Sequence, residues 1–386
     1  MGWGLHPSKS HRVSIGTADV YPIQKQAREL GRSMQVGIEA RFRAINEAGG
    51  IHGRTLQLKA LDDRYEPVSA KKNLQQFFDP DDGVFVLLGN VGTPTAEVIL
   101  PEILSNGTVL FGTFSGATLL RNVPPDHYVF NYRASYAQET EALVHYFVEV
   151  RILDPKKIAV FYQNDSYGHD GLNGVVQALR QLHIHDPPIT ATYDRNTAQV
   201  DQAVSAFITN RDAIDAIIII GTYQASALFT QGMRESGYTG EIANVSFVGS
   251  RALIEEFNRL GKALGAGVLV SQVVPFYDSH AKGVLQYREA LTRYFPSESP
   301  NFVSLEGYIV ASIFCEALER NGRRLDTKSL ITSLENIRDY DMGIGPTISF
   351  RPSRHQASQH VWGSRITQEG ELESVELIPT TELKRY

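Results

Sequence analysis

The stretch VFVLLGNVGTPTAEVILPEILSNGTVLFGTFSGAT, residues 84–118, reads as strand, loop, helix, strand and loop in succession. The apolar run Val84 to Leu88 ends in a loop of small residues, and a second apolar run ends in another such loop at residues 113–118. Between the runs, Pro94 suits the first position of a helix, and Thr93 before it is a suitable N-cap. This alternation predicts a parallel sheet with helices packed on it.

The loop after the first of these strands is the candidate binding site. Free amide groups and the positive end of a helix dipole are expected there, at the carboxyl end of a buried parallel strand. Open α/β sheets bind their ligands at that end of their strands. We therefore interpret the corner beside Thr93 as an anion-binding site, with a carboxylate as the expected anion.

Length and composition indicate a globular protein with two domains. The chain has 386 residues, 42% of them hydrophobic and 21% charged, and a domain usually holds about 100–200 residues. The net charge of −6 and the scattered lysines and arginines argue against nucleic acid as a partner. Residues 1–11 lack the apolar centre of a signal peptide and are interpreted as a disordered start or a cloning remnant. The single cysteine, Cys315, is expected to be a buried, inert thiol.

The alternation of strands and helices occurs in two sets, which predicts two Rossmann-like lobes. The second set begins at Ile158 and includes the fully apolar run Ala216 to Ile220, typical of a parallel strand covered on both faces. A further strand of this set is predicted at 245–248. The last third returns to long helices and then a strand at residues 347–350, so we infer that the chain crosses back to the first lobe. We expect an α/β protein of two doubly wound parallel sheets joined by a three-crossing hinge. The predicted boundaries are lobe 1 at 12–132 and 276–345, lobe 2 at 133–275 and 346–386, and crossings near 132, 275 and 346.

The sequence lacks the usual catalytic signatures. We find no GxGxxG after the first strand, no GxxxxGK(S/T), no GxSxG and no HExxH. Four histidines lie in polar, loop-like stretches without nearby cysteines or clustered acids: His183, His185, His355 and His360. The adjacent acids Asp62 and Asp63 follow a strand, where a turn is the more usual role than ligand binding. We therefore expect no catalytic residue, no metal and no cofactor.

Polar and aromatic residues instead recur at the ends of the predicted strands. They are Thr93, Gly116, Thr118, Tyr167, Tyr223 and Arg251. A cleft that closes on a small polar solute needs hydroxyls and amides from one lobe and rings from the other, because every buried polar atom must find a partner. Each of these residues could also have an ordinary structural role. Because they recur at equivalent positions of the repeated units, we favour a role in ligand binding.

Five segments carry a resemblance to a known family. They are AINEAGGIHGRTLQL (44–58) followed by Asp62-Asp63, VLLGNVGTPTAEVILPEI (86–103), SGAT (115–118), KKIAVFYQNDSYGHDG (156–171) and FVGS (247–250). With these segments the chain resembles the type I periplasmic solute-binding proteins of the branched-chain amino acid transporter class, over most of residues 12–350. The resemblance implies two Rossmann-like lobes, three hinge crossings and a ligand in the cleft.

The resemblance also implies roles for individual residues. Thr93 matches the hydroxyl that binds the ligand α-carboxylate, and Gly116 and Thr118 match the next loop, which contributes a backbone carbonyl and a hydroxyl or amide. Tyr167 and Tyr223 match tyrosines of the second lobe. These residues are expected to surround the ligand.

Two acidic contacts of the family are replaced here. Arg251 stands where an acid normally binds the ligand's ammonium group, and Gln138 stands at another acidic position just after the hinge. A buried ammonium without an acid costs several kcal/mol, so a leucine-like zwitterion would require Glu306, Asp63 or Asp165 to turn inward. We therefore expect a carboxylate without a free α-amine, or one with a second acidic group bound by Arg251. The alternative for Arg251 is a solvated rim position.

The resulting expectation is an extracytoplasmic, monomeric solute-binding protein that delivers a small carboxylate to an ABC transporter permease. A ligand-sensing domain of a receptor or regulator with the same fold is the first alternative. An enzyme on the same scaffold is the second, since fold alone does not exclude it, but it would need an activated nucleophile or a perturbed acid/base pair.

Overall fold

The computed structural model describes residues 12–18 as backbone and residues 27–377 in full. The strands are β1 (Arg12–Ala18), β2 (Thr55–Leu61), β3 (Val86–Leu88), β4 (Val109–Phe111), β5 (Val129–Phe130), β6 (Ile158–Gln163), β7 (Thr190–Tyr193), β8 (Ala216–Ile220), β9 (Glu241–Asn244), β10 (Leu269–Gln272), β11 (Trp362–Ile366) and β12 (Leu372–Val375). The helices are α1 (Arg28–Glu47), α2 (Pro67–Phe77), α3 (Thr93–Asn106), α4 (Tyr136–His145), α5 (Ser166–Gln181), α6 (Asp201–Thr209), α7 (Tyr223–Glu235), α8 (Ser250–Leu260), α9 (Lys282–Tyr294), α10 (Phe302–Asn321) and α11 (Thr327–Glu335). The expected start at 1–11 and the end of the second lobe beyond 377 lie outside the described residues.

The first five strands form a parallel sheet in the order β2-β1-β3-β4-β5. Its central strands β3 and β4 are short apolar runs, and every residue in them is buried. Successive side chains point to opposite faces of a sheet. Accordingly, Leu87 and Leu110 pack with α2 and α3, whereas Val86 and Leu88 join the larger core that includes α1.

The second sheet repeats this order. Strands β7-β6-β8-β9-β10 are parallel neighbours, and the antiparallel hairpin β11-β12 extends the sheet beyond β10. All five residues of β8, the predicted run Ala216 to Ile220, are buried. The fold class predicted from the alternating pattern is therefore confirmed: the protein is α/β with parallel sheets.

The late helices return to the first sheet, as the sequence indicates. Helices α9 and α10 pack along α1, and two glycines permit the close approach of α10. A Cβ on Gly37 would lie 1.9 Å from the Ser304 carbonyl oxygen, and one on Gly307 would lie 2.4 Å from the Met34 carbonyl oxygen. We call the first sheet with α1–α3 and α9–α11 lobe 1, and the second sheet with α4–α8 lobe 2. Among the described residues, every helix is too short or too polar to cross a bilayer.

Two predicted strands differ from the structure. Residues 347–350 contribute one bridge pair, Tyr340 with Ile348, and stay with lobe 1 because the Phe350 ring packs against Phe111 and Phe130. Strand β11, which begins at Trp362, is the next segment to pair with the second sheet. The strand expected at 245–248 lies earlier in the chain, as β9 at Glu241–Asn244. Ser246–Val248 instead forms a helical turn, in which the Phe247 ring packs against Phe114 of lobe 1.

Candidate functional site

The carboxyl ends of the two sheets meet, and each sheet has its topological switch point there. The strand order reverses between β1 and β3 in lobe 1 and between β6 and β8 in lobe 2, where open α/β sheets bind ligands. Gln163 at the end of β6 donates a hydrogen bond from Nε2 to the Tyr65 hydroxyl at 3.2 Å, across the two lobes. Residues 19–26, which follow β1 in sequence, lie outside the described residues.

A buried pair of hydroxyls lies at the start of α3. The Oγ1 of Thr93 and the Oγ of Ser115 are 2.7 Å apart, and both residues are fully buried. Gly92 is the residue before the helix, with φ 107°, so Thr93 is the first helical residue rather than the expected N-cap. The first amides of a helix have no partner within it, so this corner presents hydroxyls and the positive helix end together.

Tyr136 of lobe 2 adds a third hydroxyl to this pair. Burial raises the pKa of Tyr136 to about 12, and the neighbouring Thr93 and Ser115 hydroxyls moderate the rise. The Tyr136 hydroxyl has no hydrogen-bond partner of normal geometry among the described residues. A buried hydroxyl without a partner is costly, so this group is available to a bound molecule.

Aromatic rings from both lobes surround the hydroxyls. The Phe247 ring of lobe 2 lies 5.4 Å from Phe114, 5.9 Å from Tyr65 and 4.7 Å from Tyr167, measured between ring centroids. The Tyr136 and Tyr167 rings are 5.1 Å apart. The interface between the lobes is therefore an aromatic layer that excludes water from the Thr93 corner.

A fully buried arginine stands beside this layer. The guanidinium carbon of Arg133 lies 4.6 Å from the Phe114 ring centroid. Its Nη2 donates to the Ser246 hydroxyl and lies 3.4 Å from a Glu139 oxygen, while Nη1 lies 3.7 Å from a Glu306 oxygen. Burial alone would lower the pKa of Arg133, but the Glu306 and Glu139 carboxylates outweigh it and raise that pKa.

Three of the predicted site residues come together. Thr93 and Tyr167 lie on either side of Tyr136, and the Gly116 carbonyl accepts a hydrogen bond from the Tyr136 amide at 2.8 Å. Tyr223, at the start of α7, is 6% exposed and lies beside Glu29 at the start of α1, so it faces the other lobe near the cleft edge.

The other three have different partners. The Thr118 amide donates to the carboxylate of Asp170, at 3.2 and 3.3 Å, and the residue is exposed. Gln138 completes a capping box with Ser135, and its Oε1 also accepts from Gln356 at 2.8 Å.

Arg251 occupies the rim position rather than the cleft. Its Nε donates to Glu255 at 3.0 Å, and its Nη1 donates to the Ser299 carbonyl at 3.1 Å. The side chain is 43% exposed. The geometry therefore gives no support to the hypothesis that Arg251 binds a second acidic group of the ligand.

Several site residues escaped the sequence reasoning. Ser115 adjoins the predicted Gly116, and Tyr136 lies two residues before the predicted Gln138 at the start of α4. Both hydroxyls could have been found by examining the neighbours of those predicted positions. The roles of Arg133, Tyr65 and Phe247 could not have been found from the sequence, because they depend on contacts between the lobes.

Polar contacts also join the lobes at the edge of the sheets. The Nη2 of Arg195 lies 3.1 Å from a Glu66 oxygen and its Nη1 lies 3.7 Å from Asp165. Asn196 donates to the other Glu66 oxygen at 2.8 Å. Strands β2 and β7 are edge strands of their sheets. The contacts of Arg195 and Asn196 with Glu66 therefore join the two lobes at the side of the interface where those two strands end.

Comparison with known proteins decides the family. The family model described as periplasmic binding protein matches residues 20–371. The chain belongs to this family. It is similar to the structure of a possible leucine/isoleucine/valine-binding protein from Rhodopirellula baltica SH 1, with 35% identity, 97% and 99% of the two chains covered and a TM-score of 0.89.

One curated protein and one further solved structure are also similar to the chain. Leu/Ile/Val-binding protein homolog 3 of Brucella melitensis biotype 1 is 23% identical over 86% of each chain. The structure of a branched chain amino acid ABC transporter from Thermus thermophilus with bound valine shares the fold, with 16% identity, 95% and 96% coverage and a TM-score of 0.81.

This family consists of solute-binding proteins and not enzymes, which confirms that the chain is not an enzyme. Within the described part of the chain, no three His, Cys, Asp or Glu side chains are grouped to hold a metal ion.

Proposed function

We propose that this protein captures a small carboxylate-bearing metabolite, an amino acid or a related organic acid, between its lobes. It then delivers this solute to the permease of an ABC transporter, outside the cytoplasm and as a monomer. The observation that carries the proposal is the buried hydroxyl pair of Thr93 and Ser115 at the start of α3, with the Tyr136 hydroxyl beside it.

These groups fit a carboxylate because they are uncharged hydroxyls that can donate hydrogen bonds to its oxygens. A carboxylate oxygen can accept hydrogen bonds from Thr93, Ser115 and Tyr136, and the amides at the start of α3 add to them. Each hydrogen bond to a charged group contributes about 1.5–3 kcal/mol. Two or three such bonds contribute about 3–9 kcal/mol in total. Micromolar binding corresponds to about 8 kcal/mol after the cost of association, so burial of the apolar part of the solute against the rings must contribute as well.

Closure of the lobes would complete the site. The solute is held on the lobe 1 side by Thr93 and covered by the rings of Tyr167 and Phe247 from lobe 2. A ligand can favour the closed arrangement only to the extent that it binds that arrangement better. Contacts from lobe 2 therefore determine closure, and the three chain passages between the lobes act as its hinge.

The relatives support a transport role. The Thermus thermophilus protein is an ABC transporter component with bound valine, and valine carries a carboxylate. The Rhodopirellula baltica and Brucella melitensis proteins carry leucine/isoleucine/valine-binding names. The family to which the chain belongs is named for the periplasm.

Thermal-shift screening tests this proposal. The panel contains amino acids, 2-hydroxy acids, 2-keto acids, dicarboxylates and sugars as uncharged controls. We expect stabilisation by one class of carboxylates and its loss in Thr93→Ala. Stabilisation by sugars alone, or an unchanged response in Thr93→Ala, would contradict the proposal.

A further inference from the structure

Residues 115–121, which we call the corner loop, lie between the Thr93 corner and the first passage between the lobes. The loop begins at Ser115, whose hydroxyl oxygen lies 2.7 Å from that of Thr93, and it ends at Arg121. The passage, residues 131–135, runs from β5 of lobe 1 to α4 of lobe 2. A contact between the corner loop and this passage links the candidate binding groups to the hinge.

The Arg121 guanidinium makes that contact. Its Nη1 donates to the Ser115 carbonyl at 3.2 Å and to the Ala117 carbonyl at 2.9 Å. Its Nη2 donates to the Ser115 carbonyl at 3.2 Å and to the Arg133 carbonyl, in the passage, at 3.1 Å. One side chain therefore joins the two carbonyls on either side of Gly116 to the passage.

The Ser115 hydroxyl depends on this stretch of backbone. Its Oγ accepts a hydrogen bond from the Ala117 amide at 3.2 Å. Because the oxygen accepts there, the hydroxyl hydrogen is left to donate to Thr93 or to a bound carboxylate. The direction of this hydroxyl is therefore set by the backbone whose carbonyls Arg121 holds.

The passage is itself held where Arg121 binds it. Asn131 donates from Nδ2 to the Leu120 carbonyl of the corner loop at 2.7 Å. Gln356, in the segment before β11, donates from Nε2 to the Arg133 carbonyl at 3.2 Å. Asn131 and Gln356 also form a parallel bridge. The first passage and the segment before β11 thus meet at the carbonyl that Arg121 contacts.

Lobe 2 contacts the middle of the corner loop. The Gly116 carbonyl accepts from the Tyr136 amide at 2.8 Å, and the Thr118 amide donates to Asp170 of α5. These contacts hold backbone groups on either side of Ala117. Arg121 is the side chain that holds the start of the loop, at Ser115.

Arginine has the chemistry that this position needs. Its planar guanidinium presents five donors in a fixed geometry, whereas a lysine ammonium is a compact charge on a flexible stem. Burial and the nearby Arg133 lower the pKa of Arg121 to about 10, so the group stays charged at neutral pH. Hydrogen bonds from a charged donor are roughly twice as strong as those between neutral groups.

We propose that Arg121 is a positioning residue of the binding site, which fixes the Ser115 hydroxyl beside Thr93 by joining the corner loop to the first passage between the lobes. Arg121 acts through the backbone of Ser115 and Ala117 and needs no contact with the solute. This assignment rests on the proposed function, because it requires that the Ser115 hydroxyl binds a carboxylate. A displacement of the passage during closure reaches that hydroxyl through this one side chain.

The experiment is a double-mutant cycle on affinity, measured by calorimetry. The probe is whichever of leucine, valine, 2-hydroxy-4-methylpentanoate, 4-methyl-2-oxopentanoate and glutarate binds wild type most tightly. Arg121→Met removes the donors, and Ser115→Ala removes the hydroxyl. Each single variant should bind about tenfold more weakly, the loss expected for one hydrogen bond to a charged group. The double variant should also bind about tenfold more weakly, because Arg121 then has no hydroxyl to position.

Arg234→Met is the matched control. The Nη1 of Arg234 donates to the Tyr238 and Gly240 carbonyls, both at 2.9 Å, so this substitution also leaves backbone carbonyls without a guanidinium. Those carbonyls precede β9, at the end of the second sheet opposite the site, and we expect wild-type affinity. Arg121→Lys retains a charge and donors, so its affinity should lie between those of wild type and Arg121→Met.

A loss of about a hundredfold in the double variant, the product of two independent effects, would overturn the assignment. Unchanged affinity in either single variant, or an equal loss in Arg234→Met, would overturn it as well. If Arg121→Met does not fold, Arg121→Lys replaces it in the cycle, and either no loss or a loss that persists in Ser115→Ala overturns the assignment. Binding of none of the probes by wild type would instead contradict the proposed function, and the role of Arg121 would fall with it.

Discussion

Arg195→Ala tests whether the contact between Arg195 and Glu66 belongs to the closed arrangement. The pair spans the lobes at 3.1 Å, with its side chains 25% and 33% exposed. Solvent therefore screens it, and pairs of this kind contribute about 0.5–1 kcal/mol. If the contact exists only when the lobes are closed, its loss weakens apparent ligand affinity by the same free energy, or about two- to fivefold.

The assay is calorimetry with the carboxylate found by screening, together with small-angle scattering of the loaded protein. Arg259→Ala is the matched control, because Arg259 pairs with Glu256 at 2.6 Å within the same helix and is 61% exposed. We expect weaker binding and a larger mean radius of gyration for Arg195→Ala at subsaturating ligand, and wild-type behaviour for the control. Wild-type affinity and dimensions in Arg195→Ala would show that this contact does not depend on closure of the lobes.

Three further predictions concern the Thr93 corner and its surroundings. Thr93→Ala should weaken carboxylate binding by about tenfold or more, because it removes a hydrogen bond to a charged group. Thr95→Ala is the control and should bind as wild type does, because the Thr95 hydroxyl donates to the Val91 and Gly92 carbonyls. Calorimetry on both variants checks this. Gly92→Ala should destabilise the fold by about 1–3 kcal/mol in urea unfolding, because Gly92 has φ 107° and its Cβ would lie 2.4 Å from the Tyr65 ring; a wild-type midpoint would contradict it. Burial raises the pKa of Asp63 to about 8. Its contribution to stability is therefore present below about pH 4 and is lost as pH rises toward about 8. Asp63→Asn should flatten the dependence of melting temperature on pH over this range, and a curve parallel to that of wild type would contradict this prediction.

Much of the fold could be predicted because its signals are local. The run Ala216 to Ile220 is apolar at every position, which identifies a strand covered on both faces, and it forms β8 with the predicted bounds. The two errors have tertiary causes. Val245 to Val248 is as apolar as a strand but packs Phe247 between the lobes, and residues 347–350 stay with lobe 1 through the Phe350 ring.

The candidate site was less predictable for the same reason. Thr93 and Tyr167 follow strands directly, so the carboxyl-end rule identifies them. Arg133 lies in a passage between lobes, and its partners Ser246 and Glu306 come from distant parts of the chain. The position of a residue in the sequence also does not show which protein groups compete with a ligand for its side chain. Gln138 forms a helix cap, and Arg251 pairs with Glu255 on its own helix.

Native mass spectrometry of the protein as purified can detect a carboxylate bound beside Thr93 and Ser115, with the double variant Thr93→Ala/Ser115→Ala prepared in parallel. We expect wild type to retain a small carboxylic acid, identified by its mass and by fragmentation after release. The double variant should lose it while keeping the charge-state distribution of a folded protein. A retained solute without a carboxylate, or equal retention by the double variant, would contradict the claim that a carboxylate binds against these two hydroxyls.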